Sequence, residues 1–354
     1  MIIALLAFLL TMVLVIGFHE AGHAVAAKIL GIRIQRFSIG FGRPILKWRD
    51  RQAREWVWAM WPLGGYVQLL NTRIQPVEPK DWRYAFDKQP VWRRCVVLLA
   101  GAIANLLTAL IALSLLFLMG FSQSIPVVSQ VSPKSIAANA GLHNQDQFQK
   151  IGDYPVSSWV DVGMALISQL GKKEVPVIVN NSQGNLRTVF FDFQHVPWAG
   201  RGSILDKIGI KPDNAKENLV QVQGQPLLMA LRSAATKTGQ LIAFYLITLK
   251  QLFSGNIPFS LLLGPFGLIA ISINSLMQGI AMFLYFIASL SLATGLINLF
   301  PIPGLDGGSI VYALIEKIRG KPVSVAMEVL LHRFSLIAFG ILLLQLIGND
   351  LQRL

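Results

Sequence analysis

The chain has 354 residues, of which 53% are hydrophobic and only 14% charged. A soluble domain needs more polar surface than that, so the composition excludes an ordinary globule and points to a protein crossing a membrane several times. The net charge of +13 invites a nucleic-acid role. However, residues 28–94 hold 14 Lys+Arg against 5 Asp+Glu. A basic segment between apolar runs reports topology and contact with anionic lipid, with no nucleic acid implied. The single cysteine, Cys95, excludes an intrachain disulfide and a cysteine zinc cluster, so any metal must be held by His and carboxylates.

Residues 1–27 are predicted as the first span. The run Met1–Phe18 carries no charge and continues into His19-Glu20-Ala21-Gly22-His23. It has neither a basic n-region nor a small-residue cleavage site, which disfavours a signal peptide. Residues 28–94 are expected to be a cytoplasmic, membrane-associated β region: Arg33–Ile39 alternates, Trp56–Trp61 is aromatic, and Gly31, Gly40, Gly42, Gly64 and Gly65 punctuate the segment. Residues 95–121 form a second span, where Gly101, Ala102, Ala104 and Asn105 favour close helix packing. Residues 122–195 look like a small α+β module. It has a strand at 127–131, short helices at 135–142 and 160–170, and a strand pair at 175–179 and 187–193.

A polar connection and an amphipathic helix are expected over 196–260. Residues 261–315 should hold a boundary loop at Leu261–Gly267 and the third span, and 316–354 a basic loop and the fourth. The positive-inside rule places 28–94 and the stretch around Lys317, Arg319 and Lys321 in the cytoplasm, and the α+β module outside it.

His19-Glu20-x-x-His23 carries the chemistry. On a helix, positions i and i+4 share a face, so both imidazoles can meet one metal ion, with Glu20 beside them to take a proton from water. Ionisable groups within a span are costly, which favours function over a frayed helix end. A catalytic zinc wants three protein ligands. The candidate for the third is Asp306, in Asn298-Leu299-Phe300-Pro301-Ile302-Pro303-Gly304-Leu305-Asp306-Gly307-Gly308. The alternative is a loop Asp capping the helix that follows near Ser309. Asn298 could donate to a substrate carbonyl or oxyanion, or else make a helix-packing hydrogen bond.

His19–His23, Asn298-x-x-Pro301 and Leu305-Asp306-Gly307, in this order, resemble the site-2 protease family of intramembrane metalloproteases, in its bacterial RseP-type branch. Phe37–Gly42, Pro62–Val67, Ala102–Asn105 and Gly264-Pro265 resemble further stretches of that branch. The resemblance covers nearly the whole chain. It implies a four-span helical membrane protein of the bacterial inner membrane, with Zn2+ on His19, His23 and Asp306, Glu20 as base and Asn298 as a substrate contact. Gly64, Gly65, Tyr66 and Val67 would belong to a hairpin strand that binds substrate. The implied substrates are single-span membrane proteins shortened by another protease, such as an anti-sigma factor, or remnant signal peptides. The module at 122–195 resembles a PDZ domain through Ser132–Leu142. RseP-type chains typically carry two such domains and a Gly-Asp where this one has Asn144-Gln145-Asp146, so exclusion of bulky substrates stands beside peptide binding. The competing readings are a catalytically silent scaffold using the PDZ-like module, and a metal transporter, which would need polar sites spread along a pathway.

Overall fold

The computed structural model describes residues 2–181, 183–198, 202–213 and 215–353. They form two compact units, one of residues 1–116, 231–238 and 264–348, the other of 117–230, 239–263 and 349–354. In the first unit the chain opens with α1 (Ile2–Thr11), passes through a π-helical turn (Met12–Gly17) and continues as α2 (Phe18–Ile29). No charge or proline interrupts this run before His19, and it stops at Gly31, whose φ of 72° suits a helix C-terminus. A π turn widens the helix locally and recurs beside functional positions.

Two long strands follow, β1 (Ile34–Arg49) and β2 (Glu55–Leu69), paired antiparallel. Each doubles back, so the segment 34–39 faces both 65–69 and 55–58, while 44–49 pairs with 55–59. The connecting turn is held by Asp50, whose carboxylate accepts the backbone N–H groups of Gln52 and Arg54 and the Arg54 Nε–H at 2.7 Å. Glu55 receives Arg49, Lys47 and Arg36 at 2.7–3.0 Å, and these cations hold its carboxyl down at about 2 against an ordinary 4.5. A lowered carboxylate pKa stabilises the fold fully above 4.5, and that contribution disappears as pH falls towards 2. Acid titration of the intact protein is therefore expected to loosen this sheet between those values, read by the fluorescence of Trp48 and Trp56, which stack at 6.1 Å. Replacing Glu55 by Gln should reduce the transition, leaving the part carried by Asp50, whose carboxyl is also lowered to about 2. The helix α3 (Val91–Met119) then starts just after Pro90.

The second unit contains the α+β module. Its elements are β3 (Phe121–Ser124), β4 (Val128–Val131), α4 (Ile136–Asn139), β5 (Gln147–Ile151), β6 (Tyr154–Pro155), α5 (Trp159–Gln169), β7 (Val175–Asn180), β8 (Leu186–Phe191), α6 (Ile204–Ile208), β9 (Ile210–Pro212) and β10 (Leu219–Val222). The sheet runs β6-β5-β7-β8, with β4 paired to β9 and β3 to β10. Ser135, Ser158 and Ser203 cap the three helices by accepting backbone N–H groups. Phe148, Leu166, Val177, Phe191, Ile208 and Ile210 are wholly buried together. The segment expected as a polar connection thus departs from expectation: residues 204–222 supply α6, β9 and β10. Short apolar pairs such as Ile208/Ile210, flanked by Lys207 and Lys211, conceal a strand in a polar background.

At Asn144-Gln145-Asp146, Gln145 has φ 66°, the left-handed conformation that glycine adopts freely, and Asp146 is buried. The Asp146 carboxylate pairs with the Arg187 guanidinium and accepts the His143 N–H. Replacing Arg187 by Met leaves a buried, unpaired carboxylate and is expected to cost about 3–5 kcal/mol, seen as earlier proteolysis within 127–212 on heating.

The chain continues as α7 (Leu227–Phe253), α8 (Pro265–Met277), α9 (Ile280–Asn298), α10 (Asp306–Arg319) and α11 (Val325–Arg353). Of Leu261–Gly267, expected as a loop, residues 262–264 are irregular and α8 opens at Pro265; proline fits the first helical turn, where no N–H is needed. Among the described residues four helices are long and apolar enough to cross a membrane: Ile3–Ile29, Val91–Met119, Ile280–Asn298 and Val325–Arg353. This is a polytopic membrane protein with an added β region. In the first unit, Val15 of the π turn packs on Phe283 and Ile287 of α9, and the Thr11 and Ser272 hydroxyls meet at 2.8 Å. Buried Arg94 of α3 donates to Glu316 of α10 at 2.9 Å.

Candidate metal centre

The geometry starts from the two imidazoles on one face of α2. Their Nε2 atoms are 3.2 Å apart, and both approach Oδ2 of Asp306, at 3.2 Å from His19 and 3.3 Å from His23. Asp306 Oδ2 is buried and otherwise has no partner. Three unshared donor atoms facing one point repel unless a cation lies between them. Tetrahedral zinc with bonds of about 2.0–2.1 Å spaces its ligand atoms ~3.3–3.4 Å apart, so this triangle fits it.

The other imidazole nitrogens are fixed from α3. His23 Nδ1 is 2.8 Å from the Val97 carbonyl oxygen, which makes Nδ1 the protonated nitrogen and leaves Nε2 free to ligate. His19 Nδ1 lies 3.3 Å from the Asn105 side-chain amide. The approach depends on glycine twice. A Cβ on Gly22 would collide with the Ala100 carbonyl and Ala104, and one on Gly101 with both imidazoles.

Asp306 reaches the histidines through a tight turn. Gly304 has φ 96°, and Cβ atoms on Gly307 and Gly308 would strike the carbonyls of Leu299, Phe300 and Ile302. Asp306 stands in the first turn of α10, which has no side-chain cap hydrogen bond at its N-cap, Leu305. The Asp306 carboxylate turns its Oδ2 to the two imidazoles.

Glu20 is absent from the triangle. Its Oε2 accepts the backbone N–H of Val67 at 2.9 Å. Val67 pairs with Phe37 of β1, and its N–H is directed to Glu20 of α2. The Asn298 amide nitrogen is 3.2 Å from His19 Nε2. Gly64, Gly65, Tyr66 and Val67 line the same cavity of about 510 Å³ as His19, Glu20, His23, Asn298 and Asp306. The residues singled out from the sequence for the metal, the base, the substrate contact and the substrate strand therefore line one cavity. Sequence reasoning treated Asn105 only as a packing residue and gave Val97 no role. The carbonyl of Val97 has no sequence signature, whereas a polar Asn105 inside an apolar helix did offer a signal.

The chain matches the model of peptidase family M50 over residues 7–343 and belongs to that family. It is a zinc-dependent metalloprotease. It is similar to the regulator of sigma-E protease RseP of Salmonella typhimurium, at 27% identity over 447 aligned positions that cover 99% of this chain and 98% of that protein. It is also similar to protease RseP of Yersinia pestis, at 28% identity with 99% of both chains covered. A candidate zinc metalloprotease of Brucella suis is 30% identical over 340 residues, covering 93% of this chain and 89% of the relative.

Proposed function

We propose that this metalloprotease is an intramembrane endopeptidase of the bacterial inner membrane that cuts the spanning segments of single-span membrane proteins. The observation that carries the reading is the convergence of His19, His23 and Asp306 around a point reached from α2, itself within a candidate span. In this reading those three side chains hold the zinc, Glu20 is the base and Asn298 is a substrate contact. The zinc, when bound, supplies Lewis acidity and lets water give up a proton near neutral pH.

The chain's own residues do the rest. Glu20 takes the proton of the attacking water and can return it to the leaving amine. The Asn298 amide donates to the substrate carbonyl, where negative charge develops. A peptide bond in a spanning helix is wrapped in its own hydrogen bonds and must be extended first. The outward edge at Gly65–Val67 offers backbone groups for an added strand, and glycine there permits close approach. That strand would claim the Val67 N–H now given to Glu20, so docking and the freeing of the base are linked.

The relatives' names, regulator of sigma-E protease, support substrates such as a membrane anti-sigma factor, already trimmed by another protease, or remnant signal peptides. The α+β module is read as an extracytoplasmic, PDZ-like filter against bulky substrates. The RseP alignment is longer than this chain, in keeping with one such module here and two there. Because β3 and β10 pair, residues 125–218 can be replaced by a short linker between them. Cleavage of untrimmed substrates should then rise towards that of trimmed ones, and unchanged discrimination would sink the filter.

The central test uses purified, zinc-loaded protein with a model single-span substrate and an unfolded soluble protein. Cleavage within the span, abolished by chelator and restored by zinc, is expected. Cleavage of the soluble protein alone would refute an intramembrane role, and zinc-binding protein that cleaves neither would favour the scaffold.

A further inference from the structure

A second cavity, of about 260 Å³, lies on the β1–β2 sheet and is lined by Arg36, Ser38, Lys47 and Tyr66, with Gly40, Gly42, Pro44 and Val57. Side chains alternate along the strands, which gives the sheet two unlike faces. On one, Phe37, Trp56 and Trp48 stack in series, with ring centroids 4.4 and 6.1 Å apart. On the other, Arg36, Lys47 and Arg49 converge on the single carboxylate of Glu55. Glu55 stays ionised throughout the physiological range, so three cations share one anion and two positive charges are left unbalanced.

Donors remain to use that charge. Arg36 gives Nε and Nη2 to Glu55, while its Nη1, among the described residues, makes a long 3.5 Å contact to Tyr66. Lys47 spends one of its three N–H bonds on Glu55. The Ser38 hydroxyl already donates to the Gly40 carbonyl. Beside this basic cavity Ile45, on the same strand face as Lys47, is 67% exposed, and on the opposite face Leu46 and Trp48 are 56% and 45% exposed. A soluble anion gains nothing from these apolar side chains. A lipid meets both parts, its phosphate at the cations and its hydrocarbon along the apolar side chains.

We propose that the cavity between Arg36 and Lys47 binds the phosphate headgroup of an anionic phospholipid. The sheet thereby has a fixed lipid contact of its own, whose lining shares only Tyr66 with that of the cavity around His19 and Asp306. The cavity has the size of a headgroup, below that of usual drug-sized pockets.

The test is native mass spectrometry of the delipidated full-length protein, titrated in detergent with phosphatidylglycerol, phosphatidylcholine or soluble glycerol 3-phosphate. Phosphatidylglycerol is expected to bind tightest. Lys47→Gln should weaken it about fivefold, the effect of one basic charge near a lipid surface. Lys47→Arg should retain it, as should Arg51→Gln in the exposed turn. Lys47 is half exposed with one ion pair, so its loss is expected to leave melting unchanged; Arg36→Gln provides an independent second reading with the same expected direction. Equal binding of both phospholipids, equal binding of soluble glycerol phosphate, or no change in Lys47→Gln would overturn the site. Equal weakening by Arg51→Gln would reduce it to diffuse surface charge and overturn it as well.

Discussion

The Glu20→Gln protein is expected to carry as much zinc as the unsubstituted chain and to lose cleavage by at least 10²–10⁴-fold, the usual worth of a positioned general base. The reason is geometric. The atoms that face one another are His19 Nε2, His23 Nε2 and Asp306 Oδ2, while the Glu20 carboxylate turns to the Val67 amide. Glutamine can keep a hydrogen bond to that amide through its own oxygen, so the fold is undisturbed, but it cannot accept the proton of water. Zinc content by elemental analysis and cleavage of a single-span substrate separate the two properties. Zinc lost together with activity would make Glu20 a ligand and overturn its role as base.

A second large effect is expected at a residue that has no side chain. Gly101→Ala adds one methyl, yet its Cβ would coincide with the His23 ring and press on His19. Helix backbones cannot retreat freely, because Gly22 of α2 is already against the Ala100 carbonyl, so the imidazoles must leave the triangle. Zinc content should fall well below half and cleavage with it. Gly340→Ala, at a position with open space around it, should change neither. If Gly101→Ala kept its zinc, the tight crossing of α2 and α3 would not be what holds the histidines. Overpacking a close-packed crossing ordinarily costs about 1–3 kcal/mol, so melting measured without metal shows whether the loss is local to the site.

The sequence made much of the site legible because His19, Glu20, His23, Asp306 and Asn298 are polar groups in apolar surroundings, where each needs a reason. Spacing alone put the two histidines on one face. Spacing could not say that Asp306 lies in the first turn of a helix with its oxygen turned to the histidines; that depends on Gly307 and Gly308 lying against the carbonyls of residues 299–302. The β region was visible in the alternation around Arg33–Ile39, but its doubled-back register was not, since pairing 34–39 with two different segments depends on long-range contacts. Residues 204–222 were missed because their strands are three and four residues long. The helix start at Pro265 was hidden because a proline reads equally as a stop and as a first turn.

The division of the metal site between the two ends of the chain sets a schedule. His19 and Asn298 are 279 positions apart, and Asp306 follows still later. At synthesis rates of about 5–20 residues per second, the histidines emerge on the order of tens of seconds before their carboxylate partner. In the proposed reading the nascent chain holds an incomplete ligand set during that interval. A protease proposed to cut membrane helices is then inert while its own helices ahead of Asp306 are being threaded into the bilayer.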